Sequence, residues 1–125
     1  VYSQTYAAPM PYNVQSNESF VSGLYVDAFS RSADSAGLSY WAQQLDSGAS
    51  RKAVIQEFLV SAEYEIGHLA NSQYVNGLYL DVLGRQEDAS GAAFWVGQID
   101  SRISRATVVG SFLASTEFSN LVGII

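Results

Sequence analysis

The chain contains no cysteine, one histidine (His68), two prolines and six basic residues among 125. Each scarcity excludes something. Without cysteine there is no disulfide, no thiolate metal site and no thiol nucleophile, and a single histidine leaves little for a metal centre or a catalytic triad. Six bases against twelve acids give a net charge of -6 and a sequence pI near 4.4, with no basic run. That balance argues against nucleic acid and anionic membrane as partners, because both are bound through cationic surfaces. No apolar run approaches the roughly 18 residues of a membrane span, and the N-terminus lacks the basic-then-apolar layout of a signal peptide. The chain starts at Val1, which reads as a processed product or an excised piece.

Apolar residues are plentiful, at 48%, while charged residues make up only 14%. This composition belongs to a folded domain, since a disordered chain is poor in apolar residues and rich in charge. At this length, folding buries roughly two-thirds of the unfolded surface, so a core forms without staples.

Residues 1–16, VYSQTYAAPMPYNVQS, hold both prolines, three tyrosines (Tyr2, Tyr6 and Tyr12) and no charge. They read as an extended arm or linker, with residues 17–125 as the folded part. Beyond the arm the dominant feature is an internal repeat. FVSGLYVDAFSRSADSAGLSYWAQQLDSGASRKAVIQEFLVSAEY (20–64) returns 54 positions later as YVNGLYLDVLGRQEDASGAAFWVGQIDSRISRATVVGSFLASTEF (74–118), without a gap. Nineteen of the 45 aligned pairs are identical, and each copy carries five acids and three bases. Duplications of this kind govern the whole fold.

Within a copy the apolar period is helical. Phe20, Leu24 and Ala28 form an i, i+4 stripe over a helix expected at about 18–30, with Asn17 as its cap. Asp34 caps a second helix carrying Leu38, Trp41 and Leu45, which ends at Ser47-Gly48; Ser50 opens a third with Val54, Ile55, Phe58 and Leu59. Ser61 opens a short fourth helix reaching Leu69, and Ser72, Asp88, Ser104 and Ser115 repeat the punctuation in the second copy. No alternating strand pattern is present. The expected fold is all-α: two tandem copies of a four-short-helix unit packed into one compact domain. Neither copy is expected to be stable alone, so each should shield the tryptophan-bearing side of the other, with Trp41 and Trp95 as core anchors worth about 3–5 kcal/mol on truncation to Ala.

The repeated polar motif is Arg31, Asp34, Gly37 and its twin Arg85, Asp88, Gly91. One reading makes the aspartate a helix cap and the arginine a hydrogen-bond donor to loop carbonyls or to that carboxylate. The other is a calcium loop using Asp27 and Asp34, or Asp81, Glu87 and Asp88, although the EF-hand spacing is absent. Gly84 suits a left-handed helix end, so Ser30 at the same place implies a different turn in the first copy.

These residues resemble a known family. FVSGLYVDAFSRSADSAGLSYWAQQLDSG and YVNGLYLDVLGRQEDASGAAFWVGQIDS are similar to the DUF4214 pattern F-V-x-x-L-Y-x-x-x-L-G-R-x-x-D-x-x-G-L-x-Y-W-x-x-x-L. SRKAVIQEFLVSAEY and SRATVVGSFLASTEF resemble that family's S-R-x-x-V-x-x-F-x-x-S-x-E-[FY] ending. The resemblance implies two copies of a helical module of bacterial exported and cell-surface proteins, often beside repeat-rich or calcium-binding regions and distantly similar to phycobilisome linker domains. It implies no active site and no cofactor.

Three functions follow as expectations. The first is a non-catalytic interaction or scaffold module, extracellular or at a bacterial cell surface, binding a protein partner or surface polymer. The second is a carbohydrate-binding or adhesin module in which tyrosines and amides such as Gln43 and Gln44 line a groove between the copies and meet an extracellular polysaccharide, while Tyr2, Tyr6 and Tyr12 of the arm are free to dock into a groove of their own domain or of a neighbouring chain. The third is a small hydrolase using duplicated acids such as Asp27 with Asp81, Asp46 with Asp100 or Glu63 with Glu117. His68 reads as structural or solvated rather than catalytic. The uncharged tail Leu121-Val122-Gly123-Ile124-Ile125 either completes the core or, like the arm, joins a second chain as a homo-oligomer contact.

Overall fold

The computed structural model describes residues 16–122. Eight helices account for most of them: α1 (Asn17–Phe29), α2 (Ser35–Asp46), α3 (Arg51–Leu59), α4 (Ala62–Ile66), α5 (Asn71–Leu78), α6 (Ala89–Asp100), α7 (Arg105–Leu113) and α8 (Thr116–Val122). No strand occurs among the described residues. The arm with Tyr2, Tyr6 and Tyr12, and the tail beyond Val122, lie outside them.

Helices of five to thirteen residues are too short to persist alone, so their ends and packing must fix them. Side-chain oxygens of Asp34, Ser50, Ser61, Asp88, Ser104 and Ser115 accept the backbone N–H three residues on, as expected. The caps at the start of each copy sit earlier than the sequence suggested. Ser16, not Asn17, accepts the Ser19 N–H at 3.0 Å, leaving the Asn17 side chain for other work. In the second copy α5 starts after Ala70, which has no oxygen to offer; Gln73 reaches back instead to accept the Ala70 N–H at 3.0 Å, and Ser72 is an exposed residue inside the helix. The fourth helix stops at Ile66, short of Leu69.

Ser30 overturns the expectation of a different turn. It takes the left-handed conformation (φ 57°, ψ 37°) that Gly84 takes in the second copy (φ 68°, ψ 26°). The reverse trade occurs after the second helices, where Gly48 has φ 114° and Arg102, its counterpart, φ 81°. Each copy therefore carries one glycine and one strained residue at the two left-handed positions.

The core is continuous through both copies. Phe20, Val21 and Leu24 of α1, Ile55 and Leu59 of α3, and their counterparts Tyr74, Val75, Leu78, Val109 and Leu113 are buried in it. The copies meet through like elements, as a pseudo-twofold arrangement requires: α3 packs on α7, and Gln56 Nε2 donates to the Ala106 carbonyl at 3.3 Å. The Tyr74 hydroxyl adds a bond to the Leu59 carbonyl at 2.6 Å.

The tryptophans lie elsewhere than expected. Trp41 and Trp95 are only partly buried, each packed at the edge of the core against the phenylalanine of its own copy, Phe58 at 5.5 Å and Phe112 at 5.3 Å between ring centroids. The seam between copies belongs to the third helices instead. The physical reason is that the second helices are amphipathic outer elements, with Ala42 and Leu45 the only buried residues of α2 and none in α6.

One difference separates the copies at the backbone. After Leu78 the helix widens into a π-helical turn, Tyr79–Leu83, whereas the equivalent stretch of α1 stays α-helical. Such turns are uncommon and cluster at functional sites.

Candidate functional site

The Arg-Asp-Gly motif forms the same cluster twice. Asp34 accepts the Gly37 N–H at 3.0 Å and Asp88 the Gly91 N–H at 2.9 Å. These N–H groups, more than the neighbouring arginines, hold both carboxyls below the usual aspartate range. Arg31 donates to the Ser32 carbonyl and Arg85 to the Gln86 carbonyl, at 3.1 and 3.0 Å. Their principal partner is more distant in sequence. Arg31 meets Glu63 through Nε at 2.7 Å and Nη2 at 2.9 Å, and Arg85 meets Glu117 at 2.6 and 3.1 Å. Each guanidinium also lies over a tyrosine ring, Tyr25 at 5.0 Å and Tyr79 at 4.9 Å. The glycines are needed because the same tyrosine hydroxyls press against Gly37 and Gly91, leaving no room for a methyl group.

A second duplicated network was not foreseen. Asn17 donates to Asp46 and Asn71 to Asp100, both at 2.7 Å, while the two amide oxygens accept from Arg51 and Arg105. Arg105 further binds the His68 and Leu69 carbonyls at 3.2 and 2.8 Å, tying the connection between copies to α7. The joint retention of Asn, Asp and Arg at one spacing in both copies was the available signal.

Against these structural clusters, the clefts beside the tryptophans are open. On one side of Trp41 a shallow cleft of about 320 Å³ is lined by Tyr40, Gln44 and Glu57. Tyr40 is 53% exposed and stands edge-on to Trp41 at 4.9 Å; Phe94 repeats this against Trp95, 55% exposed and also at 4.9 Å. Neither the Gln44 amide nor the Glu57 carboxylate has a hydrogen-bond partner among the described residues. The cleft lies within the first copy, between α2 and α3, rather than between copies, and Gln43, though exposed, does not line it. On the other side, Trp41 and Trp95 each wall a smaller pocket, about 150 Å³ with Phe58, Ser61 and Glu63 and about 130 Å³ with Phe112, Ser115 and Glu117. Glu57 of the first pocket is replaced by Ser111 in the second.

Among the duplicated acids, Asp46, Asp100, Glu63 and Glu117 are engaged by the asparagines and arginines above. Asp27 and Asp81 come near enough across the copies for the charge of one to raise the pKa of the other. Neither borders the clefts described above. Among the described residues no three His, Asp or Glu side chains converge as a metal site, and Asp34 and Asp88 are turned to their caps instead. His68 stacks on Tyr64 with centroids 4.1 Å apart, and its Nδ1 lies 2.8 Å from the Tyr64 carbonyl.

These clusters recur because the chain holds two units of one family. The family model described as Domain of unknown function (DUF4214) matches residues 3–67 and again 64–122, so the chain belongs to that family. No curated protein and no solved structure matches the chain. No described helix is long and apolar enough to cross a membrane.

Proposed function

We propose that the chain is a non-catalytic interaction module of an exported or cell-surface bacterial protein, engaging a protein partner or surface polymer through its tryptophan faces. The observation that carries this reading is the twofold display of an exposed ring beside a partly buried tryptophan, Tyr40 with Trp41 and Phe94 with Trp95, on the outer second helices. Exposed aromatic residues beside a shallow recess supply large contact area at low entropic cost, which is the usual make-up of a binding hot spot. The motif acids support a scaffold role, since they are consumed in caps and ion pairs.

The Trp41 cleft favours a second reading, a carbohydrate-binding or adhesin module. Tyr40 and Trp41 offer ring faces, and the unbonded Gln44 amide and Glu57 carboxylate offer hydrogen bonds to hydroxyls, with no cation to recruit an anion. Both readings are tested by capture from culture supernatant and by retention on purified cell-wall polysaccharide, comparing the native chain with Tyr40→Ala/Phe94→Ala. Loss of at least tenfold in bound material supports the proposed faces; equal capture by both proteins overturns them.

A further inference from the structure

One grouping of side chains occurs three times on this molecule. Arg31 lies over the Tyr25 ring, 5.0 Å from its centroid, and is held by Glu63 at 2.7 Å; Arg85 lies over Tyr79 at 4.9 Å and is held by Glu117 at 2.6 Å. Arg105 lies over Tyr74 at 4.4 Å, with Glu65 3.9 Å away. Each guanidinium thus meets the face of an aromatic ring and a carboxylate together, a negative surface for its flat side and acceptors for its N–H groups.

The Trp41 cleft has the ring and the carboxylate without the cation. Trp41, with Tyr40 edge-on to it, and Glu57 line one recess of about 320 Å³, and Glu57 also borders the pocket on the other side of the indole. Among the described residues no base pairs with Glu57. Glu63 and Glu117, the other carboxylates beside the tryptophans, are each taken by an arginine. The Gln44 amide oxygen is a further free acceptor in the recess, and Ala49 and Ala53 leave room within it. The second copy has Ile103, Thr107 and Ser111 at the places of Ala49, Ala53 and Glu57, which means more bulk and no carboxylate.

We propose that the Trp41 cleft is the docking site for an arginine side chain on a peptide segment of a protein partner, its guanidinium resting on the Trp41 and Tyr40 rings and donating to Glu57. This deepens the interaction-module reading and rests on it. Arginine suits the cleft better than lysine because its flat face can cover a ring while its edge still donates in the plane, a division of contacts that an ammonium does not make. A neutral sugar would use the acceptors but leave the Glu57 charge uncompensated beside ring faces that are themselves negative. The net charge of -6 draws a basic segment toward the surface. Only the first copy has the site.

The test is NMR titration of the two tryptophan indole N–H signals of the full chain at about 0.15 M salt, where diffuse attraction is screened. The probes are a capped tri-arginine peptide, a capped tri-lysine peptide and maltohexaose; the proteins are the native chain, Glu57→Gln and Glu18→Gln. Glu57 and Glu18 are both exposed, so neither variant endangers the fold, and the second removes the same charge far from the cleft. Tri-arginine is expected to shift the Trp41 signal and not that of Trp95, to bind more tightly than tri-lysine, and to lose at least fivefold in affinity in Glu57→Gln but less than twofold in Glu18→Gln. Equal affinity for the native chain and Glu57→Gln, or an equal response of both indoles, overturns the arginine site. A Trp41 signal that answers to maltohexaose more tightly than to tri-arginine also overturns it, while sparing the face as a binding surface. A Trp41 signal unmoved by every probe overturns the site whatever the capture experiment gives.

Discussion

Arg85 grips Glu117 at two points, Nε to Oε2 at 2.6 Å and Nη2 to Oε1 at 3.1 Å, and Arg31 reproduces this grip on Glu63 across the same 32-residue separation. The contact fastens the helix-closing turn of each copy to its fourth helix. Lysine keeps the charge but has neither the planar fork nor the flat face that rests on Tyr79. Arg85→Lys is therefore expected to lower stability by about 1 kcal/mol, measured by chemical denaturation, despite a partly exposed pair that would ordinarily be worth less. An unchanged midpoint would reduce the contact to an ordinary surface ion pair.

Gly91 is fixed by contact rather than by backbone angle. A β-carbon there collides with the Tyr79 hydroxyl and comes within 2.8 Å of Asp88 Oδ2, the cap of its own helix. Gly91→Ala is expected to cost about 1–3 kcal/mol, the range for overpacking. Adding Tyr79→Phe should recover part of the loss, because it removes the colliding atom; additive losses in a double-mutant cycle would show that the collision is not the cause.

The two left-handed residues make the opposite prediction. Ser30 and Arg102 each hold a conformation that disfavours a β-carbon. Ser30→Gly and Arg102→Gly should each raise stability by about 0.5–1 kcal/mol, the strain relieved exceeding the added freedom of the unfolded chain. The sites belong to different turns, so the gains should add in the double variant.

Trp95→Ala should cost about 2–3 kcal/mol, less than a fully buried aromatic, because one side of the indole already faces a pocket. A loss of 5 kcal/mol in denaturant unfolding would mean the indole is buried more deeply than the structure has it.

Acid should destabilise through a separate set of carboxyls. Asp34 and Asp88, held low first by the Gly37 and Gly91 N–H groups, and Glu63, held low by Arg31, favour folding when ionised. Their contribution is present above the ordinary carboxylate range and fades as pH falls through their lowered values. Melting temperature should drop between pH 5 and pH 2, and Asp34→Asn, which still caps, should soften the drop.

The repeat, the all-α fold, six of the eight caps and the motif spacing could be read in the sequence because each depends on neighbours three or four residues apart. The partner of Arg31 could not, since Glu63 lies 32 residues away, although the pairs Arg31 with Glu63 and Arg85 with Glu117 were both present to be matched. Trp41 and Trp95 misled because size and repetition suggested a core anchor, whereas the seam was taken by the smaller side chains of α3 and α7. The π turn left no mark, as Asn71–Leu83 has the same length as α1. Gln44 was found in a cleft, but in the groove between α2 and α3 of one copy.

The self-matching contact of α3 with α7 has a bearing on how such a chain arises. A lone unit of this kind would expose a surface whose best complement is another molecule of itself, so two identical chains could assemble before any gene duplication joined them. Fusion then freed each half to change alone, and the places where they part company, Tyr64 against Phe118 and Glu57 against Ser111, mark where a symmetric ancestor could not have specialised.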